Sequence, residues 1–223
     1  GKEIDYTLVK QTVEDAGKID RQVAARLLDI QVYHSKVVFI LDEIKGLQVR
    51  YLRYEETEPR DIDQIVETSQ SAIENERYRI KIENNQITLL DKTNGEFIEN
   101  ILSIENGGDA GDSYDYSPPV VDRIVSSMET GRFETRTQCG ESMQELTFDL
   151  EMKVPATLDE RVTGINTQTI HYQGSIRLFR GDAMIHCELS TMNQSIDTRY
   201  RLAFKTQRRS DQVLVDGYLS PQH

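Results

Sequence analysis

The sequence predicts an all-β protein, an antiparallel β-sandwich preceded by a small β domain, and three observations predict it. Apolar residues recur at every second position in run after run, as in Leu146, Phe148, Leu150, Met152 and Val154. Such alternation places one face of a strand in a core and the other in water, a pattern that antiparallel sheets tolerate. Asparagine-rich turn signals separate neighbouring runs. Helical spacing is confined to one short stretch near the N-terminus.

That stretch is residues 18–29, where Val23, Leu27 and Leu28 recur at helical intervals beside Ala24 and Ala25, both good helix formers. Residues 34–41 end in a continuous apolar run, as expected of a more central strand. Residues 55–72 are rich in Glu, Asp, Thr and Ser around Pro59, the composition of a connecting segment. The expected organisation is a small β domain over 1–56, a linker over 57–72 and part of a large β-sandwich over 73–223. Within the last, Tyr78, Ile80 and Ile82 alternate with charged residues, and Asn84-Asn85 reads as a hairpin turn. Asn94-Gly95 is the strongest short hairpin signal there is. The long alternation to Val154 follows, and then Ile170, Tyr172, Gly174, Ile176 and Leu178. Ile185, Cys187 and Leu189, and finally Tyr200, Leu202 and Phe204, keep the same period.

One segment breaks the rhythm. Residues 105–119 carry Asp109, Asp112 and Asp115, Tyr114 and Tyr116, three glycines and Pro118-Pro119. Gly107, Gly108 and Gly111 are expected to let the backbone turn through positive φ, and the prolines to stiffen the exit. A loop so built suits a sugar, because tyrosine faces stack on pyranose C–H groups and carboxylates accept hydroxyl protons. A solvated acidic surface loop has the same composition, and composition alone favours that plainer reading.

The segment resembles part of the β-rich C-terminal half of glycoside hydrolase family 38, the α-mannosidases, and is similar above all to bacterial members that resemble mannosylglycerate hydrolases. Further segments resemble the family in its order. They are Glu14-Asp15-Ala16-Gly17-Lys18-Ile19-Asp20-Arg21-Gln22, before an early strand, and Ile73-Glu74-Asn75-Glu76-Arg77-Tyr78, at the opening of the sandwich. Val154-Pro155-Ala156-Thr157-Leu158-Asp159-Glu160-Arg161, a strand and turn, and Arg199-Tyr200-Arg201-Leu202-Ala203-Phe204, a later strand, complete the set. The resemblance implies a galactose-mutarotase-like supersandwich, incomplete here, and an extended path for residues 18–29, against their helical spacing. It implies that Tyr114 matches a tyrosine reaching toward the active site, through the pattern small-Tyr-x-aromatic-x-Pro at 113–118. Asp109, Asp112 and Asp115 are the further substrate-binding candidates. At Asp115 many eukaryotic members carry an apolar residue, and the bacterial-like pattern keeps aspartate.

By the same resemblance the full-length enzyme is a retaining, zinc-dependent α-mannosidase. Its zinc ligands and nucleophilic aspartate belong to an upstream catalytic barrel, followed by a helical bundle. The family's zinc ligands include a His-x-Asp pair, and none of His34, His171, His186 or His223 is followed by x-Asp. Catalytic zinc usually takes three protein ligands, and the spacing here does not assemble them. No catalytic or metal-binding residue is therefore expected within this chain, which reads as a fragment of a larger enzyme. Its partners would be an α-mannoside or mannosylglycerate-like sugar and the rest of the same enzyme.

Charge narrows the classes further. With 38 acidic against 26 basic residues the net charge is -12, which disfavours nucleic acid and anionic membrane surfaces as partners. No apolar run is long enough to span a membrane, and Gly-Lys-Glu-Ile-Asp at the start is no signal peptide. Cys139 and Cys187 form no CxxC pattern, which suits a reducing compartment, here the bacterial cytoplasm. Nucleophile-elbow, phosphate-loop, dinucleotide and calcium-loop patterns are missing. Two other classes compete. One is a free-standing carbohydrate-binding or mutarotase-like sandwich, in which His171 or His186 would pair with a carboxylate as acid and base. The other is a purely structural β module.

Overall fold

The computed structural model describes residues 3–16, 30–41, 46, 49–53, 55, 63–68, 70–112, 114–211, 215–216 and 221–222. Strand β1 (Tyr6–Asp15) pairs antiparallel with β2 (Gln31–Phe39) and parallel with β3 (Asp63–Gln64), giving a sheet of order β2-β1-β3. The remaining strands build the expected sandwich. Its smaller sheet runs β13-β12-β11-β10-β4, from β4 (Val66–Thr68), β10 (Arg132–Cys139), β11 (Met143–Val154), β12 (Gln168–Phe179) and β13 (His186–Thr191). The larger runs β14-β8-β7-β6-β5, from β5 (Ala72–Glu74), β6 (Tyr78–Glu83), β7 (Gln86–Asp91), β8 (Glu96–Gly108) and β14 (Thr198–Phe204). Strand β9 (Val125–Ser126) pairs on β8, and β15 (Val215–Asp216) with β16 (Pro221–Gln222). Two short helices, α1 (Ser127–Thr130) and α2 (Leu158–Thr163), link strands.

The alternation in the sequence is the alternation in the core. Leu146, Phe148, Leu150, Met152 and Val154 of β11 all point inward and are buried, as are Ile170, Tyr172, Ile176 and Leu178 of β12. Ile73, Ile80, Ile82, Ile87, Leu89, Ile98 and Ile104 meet them from the larger sheet. At Gly174 the inward side chain is missing for a reason: it stands opposite Phe148, and a Cβ there would come within 2.2 Å of the Phe148 ring. The ring lies across the glycine and meets Phe133 edge-on at 5.4 Å between centroids.

Turn chemistry follows the sequence in one hairpin and extends it in another. Asn84 (φ 51°) and Asn85 (φ 60°) are both left-handed, as a two-residue type I′ turn requires. Around Asn94-Gly95 the loop is four residues long, because Asp91 Oδ1 accepts the Thr93 N–H (2.8 Å) and Asp91 O the Gly95 N–H (2.8 Å).

Three expectations need correction. Residues 34–41 do not form a central strand: β2 is the edge strand of its sheet among the described residues, and its side chains are mostly exposed. Among the described residues no second layer covers its apolar run. Within the segment read as a linker, β3 and β4 each pair with a different sheet, β3 with β1 and β4 with β10. Thr7, fully buried, ties those sheets together. Its hydroxyl donates to the Asp63 carboxylate and accepts the Ser142 N–H (3.1 Å), while Asp63 Oδ2 accepts the Glu141 N–H (2.8 Å). The turn expected after Val154 is helix α2, started by Thr157, whose hydroxyl accepts the Glu160 N–H. Residues 18–29 lie outside the described residues.

Strand propensity alone would favour Gly174→Ala, since glycine weakens a strand. We expect the opposite: displacing the Phe148 ring costs about 1–3 kcal/mol, the range for overpacking a filled core. Urea unfolding of the variant against wild type measures it; a stabilised variant would refute the packing argument.

Candidate functional site

The acidic segment is an Ω-shaped loop delivered by the longest strand. β8 runs on through Asn106 and Gly108, and the returning arm pairs with it at Asn106↔Val125 and Glu105↔Ser126. Between these arms residues 109–121 project as the loop.

A buried arginine closes the neck. Arg161, 1 % exposed, sits on α2, where Thr157 caps the helix and the Glu160 carboxylate accepts the Ala156 N–H (2.9 Å) and the Thr167 hydroxyl. Its Nη1 donates to Asn106 O (3.1 Å) and Arg123 O (2.7 Å), and its Nη2 to Asn106 Oδ1 (2.6 Å). Asp122 Oδ1 stands 3.6 Å from Nη1 and accepts the Gly108 N–H (2.9 Å). Burial lowers the Arg161 pKa and the Asp122 charge opposes that shift. Gly164 ends α2 in the left-handed region (φ 75°) with the Arg123 guanidinium over it, so close that a Cβ would stand 1.8 Å from Nη1. Both ends of the loop therefore rest on one helix.

Two of the loop's glycines, Gly108 and Gly111, are required, though not for the expected reason: none of Gly107, Gly108 and Gly111 has positive φ. The requirement is close approach. A Cβ on Gly108 would stand 2.7 Å from Pro119 Cγ and 2.9 Å from Arg161 Cδ, and one on Gly111 would stand 1.9 Å from Asp115 O.

Two of the four candidate residues also build the loop. Asp109 Oδ1 accepts the N–H groups of Gly111 (2.9 Å) and Ser117 (3.0 Å), and its own N–H donates to Asp197 O (2.9 Å). Asp112 Oδ1 accepts from Tyr114 N (2.8 Å) and Asp115 N (3.0 Å), bonds that hold its carboxyl below its ordinary value, the Tyr114 bond most. Tyr114 is 92 % exposed and stands off the surface beside the exposed Asp115. Tyr116 lies under the Arg199 guanidinium, 4.3 Å from its ring centre. All four candidates thus sit on one stapled loop, with Tyr114 and Asp115 at its tip.

Two of the histidines, His171 and His186, are placed elsewhere in the sandwich. His186 Nε2 is 3.0 Å from Asp182 Oδ2 at the β12–β13 turn, with its ring edge-on to Phe179, and His171 is exposed on β12. Among the described residues no three His, Cys, Asp or Glu side chains gather where they could hold a metal ion.

Sequence reasoning missed Arg161, Asn106 and Asp122. Arg161 stands in a quoted stretch, 154–161, but nothing in the sequence distinguishes an arginine that will be buried from the usual exposed one.

No family model matches the sequence, and no curated protein does. Solved structures do. The chain is similar to an α-mannosidase from Enterococcus faecalis V583, with 19 % identity and a TM-score of 0.60 over 95 % of this chain and 26 % of that one. It is similar, too, to a glycosyl hydrolase family 38 protein from Enterococcus faecalis, with 18 % identity and a TM-score of 0.60 over 92 % of this chain and 26 % of the other. The likeness establishes the fold: the chain has the fold of a β-rich quarter of those proteins, and spans about a quarter of their length.

The Asp112 bonds make the loop acid-sensitive. Its folded-state pKa is depressed, so their stabilisation is fully present above the unfolded value, about 3.9, and is lost as pH falls through the folded one. The Tyr114 and Asp115 amide proton resonances should titrate together, with a midpoint below the ordinary aspartate value. In Asp112→Asn the bonds remain and that titration should vanish. A midpoint at or above the ordinary value would contradict the assignment.

Proposed function

We propose that this chain is the β-rich region of a retaining, zinc-dependent α-mannosidase of glycoside hydrolase family 38, and that its 109–116 loop forms part of the sugar pocket wall. The observation that carries the reading is a hydrogen-bonded loop that presents Tyr114 and Asp115 outward, on a fold shared with a quarter of an α-mannosidase and of a glycosyl hydrolase family 38 protein. Tyr114 would stack on or hydrogen-bond the sugar, and Asp109, Asp112 and Asp115 would accept its hydroxyl protons. Each of Asp109 and Asp112 keeps a second carboxylate oxygen beyond the one engaged by its backbone bonds. Zinc, which would bind sugar hydroxyls and polarise the reacting centre, would be held by residues outside this chain. The substrate would be an α-mannoside or a mannosylglycerate-like sugar, and the other partner the barrel and helical bundle of the same enzyme. The bacterial cytoplasm is the proposed compartment, supported by two unpaired cysteines, Cys139 and Cys187.

A second reading has its own observation. Val120, Val121, Val162 and Ile165 are exposed on the returning arm of the loop and on and just beyond α2, an apolar surface that suits packing against another domain. In that reading the loop is structural.

Two measurements test these readings. In the full-length enzyme Tyr114→Ala should lower kcat/KM by about 1–3 kcal/mol of transition-state binding, roughly five- to 160-fold. Lys153→Ala, on the exposed face of β11, should change it little. Unchanged kinetics with a lowered Tm would favour the packing reading instead. The isolated chain should not hydrolyse an aryl α-mannoside with or without added zinc; zinc-dependent turnover would place catalytic residues within it.

A further inference from the structure

The loop that carries every candidate side chain is held at its neck by a side chain that belongs to neither arm. We propose that Arg161 is a positioning residue: its buried guanidinium sets where the 109–116 loop presents Tyr114, by tying Asn106 on one arm to Asp122 and Arg123 on the other. The proposal rests on the reading that this loop meets the sugar.

The geometry is specific to arginine. Three acceptors on two arms, Asn106 O, Asn106 Oδ1 and Arg123 O, are met by two nitrogens of one planar group. A lysine ammonium is a single point: placed where Nη1 sits it could meet Asn106 O and Arg123 O, but not also Asn106 Oδ1, which Nη2 serves. The anchor is also rigid from behind. Arg161 lies in α2, and α2 is the direct connection between β11 and β12, two of the most deeply buried strands. Gly108 leaves the space that the Arg161 side chain fills, since a Cβ there would stand 2.9 Å from Cδ. A charge so deeply buried costs folding energy unless well partnered. Here Arg161 Nε and Asn106 Nδ2 have no hydrogen-bond partner, so the cluster is not the arrangement that stability alone would select.

Positioning predicts coupling. If Arg161 acts through the loop, removing it should matter to catalysis only while Tyr114 is there to be positioned. In the full-length protein we would compare Arg161→Met, Arg161→Lys, Tyr114→Ala and the double variant Arg161→Met/Tyr114→Ala. Hydrogen exchange of the peptide over 107–121 would be followed beside that over 143–154, with kcat/KM on an aryl α-mannoside. Both Arg161 variants should speed exchange in 107–121 by roughly tenfold or more and leave 143–154 unchanged, the signature of local opening. Arg161→Met should lower kcat/KM by about tenfold alone and by less than about threefold in the Tyr114→Ala background, because the two act as one unit. Unchanged exchange in 107–121, exchange rising equally in both peptides, or additive kinetic losses would each overturn the proposal. Should Arg161→Met not fold, Asp122→Asn keeps the acceptor for Gly108 N–H but removes the charge facing the guanidinium. It should open the same peptide to a smaller degree, and no opening would overturn the proposal. If Tyr114→Ala alone leaves kcat/KM unchanged, it is the sugar-contact reading that fails; the exchange comparison still decides whether Arg161 holds the neck.

Discussion

Everything in this fold depends on the pairing of β11 with β12, an unbroken register from Met143↔Phe179 to Val154↔Gln168. Its inward residues supply about half of the sandwich core. Its outer neighbours, β10 and β13, complete the smaller sheet. A one-residue slip would turn Leu146, Phe148, Leu150 and Met152 to solvent, so the hydrophobic pattern fixes the register. The connection between the two strands is α2, and the helix cannot move without that register. Arg161 therefore reaches the loop neck from the most constrained part of the molecule. The sandwich locates the helix, the helix locates a guanidinium, and the guanidinium locates the loop.

The energetics of that last link are unlike those of the core. Burial of apolar side chains is favourable at roughly 25 cal/mol per Å² and is indifferent to direction. Burial of Arg161 is unfavourable by itself and becomes tolerable only in one arrangement of acceptors. Asp122 compensates at 3.6 Å, and three uncharged oxygens take the remaining contacts. A site of this kind stabilises one loop conformation against its neighbours, rather than the fold against the unfolded chain. The Thr7–Asp63 contact plays the same part for the three-stranded sheet. There a buried hydroxyl and a carboxylate fix how β1 and β3 meet the β10–β11 turn.

The legible part of this sequence is the part governed by the hydrophobic effect. Alternation in 146–154 and 170–178 gave strands, faces and core, because period two is a direct image of burial. Asn84-Asn85 was legible because left-handed φ at two successive positions is a requirement few residues meet. The apolar run at 34–41 misled, since hydrophobicity shows that a strand prefers cover and not that cover is present. Gly107, Gly108 and Gly111 misled in another way. Glycine serves both left-handed backbone and close approach, and only coordinates separate the two. The four candidate residues were legible as a cluster, because composition marks a loop. The Arg161 neck was not, because the sequence separations that it bridges, 55 residues to Asn106 and 38 to Arg123, leave no local pattern.

The double use of the loop's aspartates bears on what it could recognise. Asp109 and Asp112 hold the backbone through their Oδ1 atoms. Hydrogen bonding keeps Asp112 ionised to lower pH than a free aspartate. An ionised carboxylate accepts and cannot donate. With Asp115 alongside, the tip is a group of acceptors that carries negative charge, beside a tyrosine with a flat apolar face. Such a surface complements a neutral ligand rich in hydroxyl donors and C–H faces. It opposes a ligand that brings its own carboxylate, which would meet like charge there. On the proposed function, this loop would suit a neutral α-mannoside better than a sugar that carries a carboxylate. On the same proposal a glycerate-bearing substrate would need cationic groups from outside this loop, because the Arg161 guanidinium is buried beneath the neck and the Arg199 guanidinium is engaged with Tyr116.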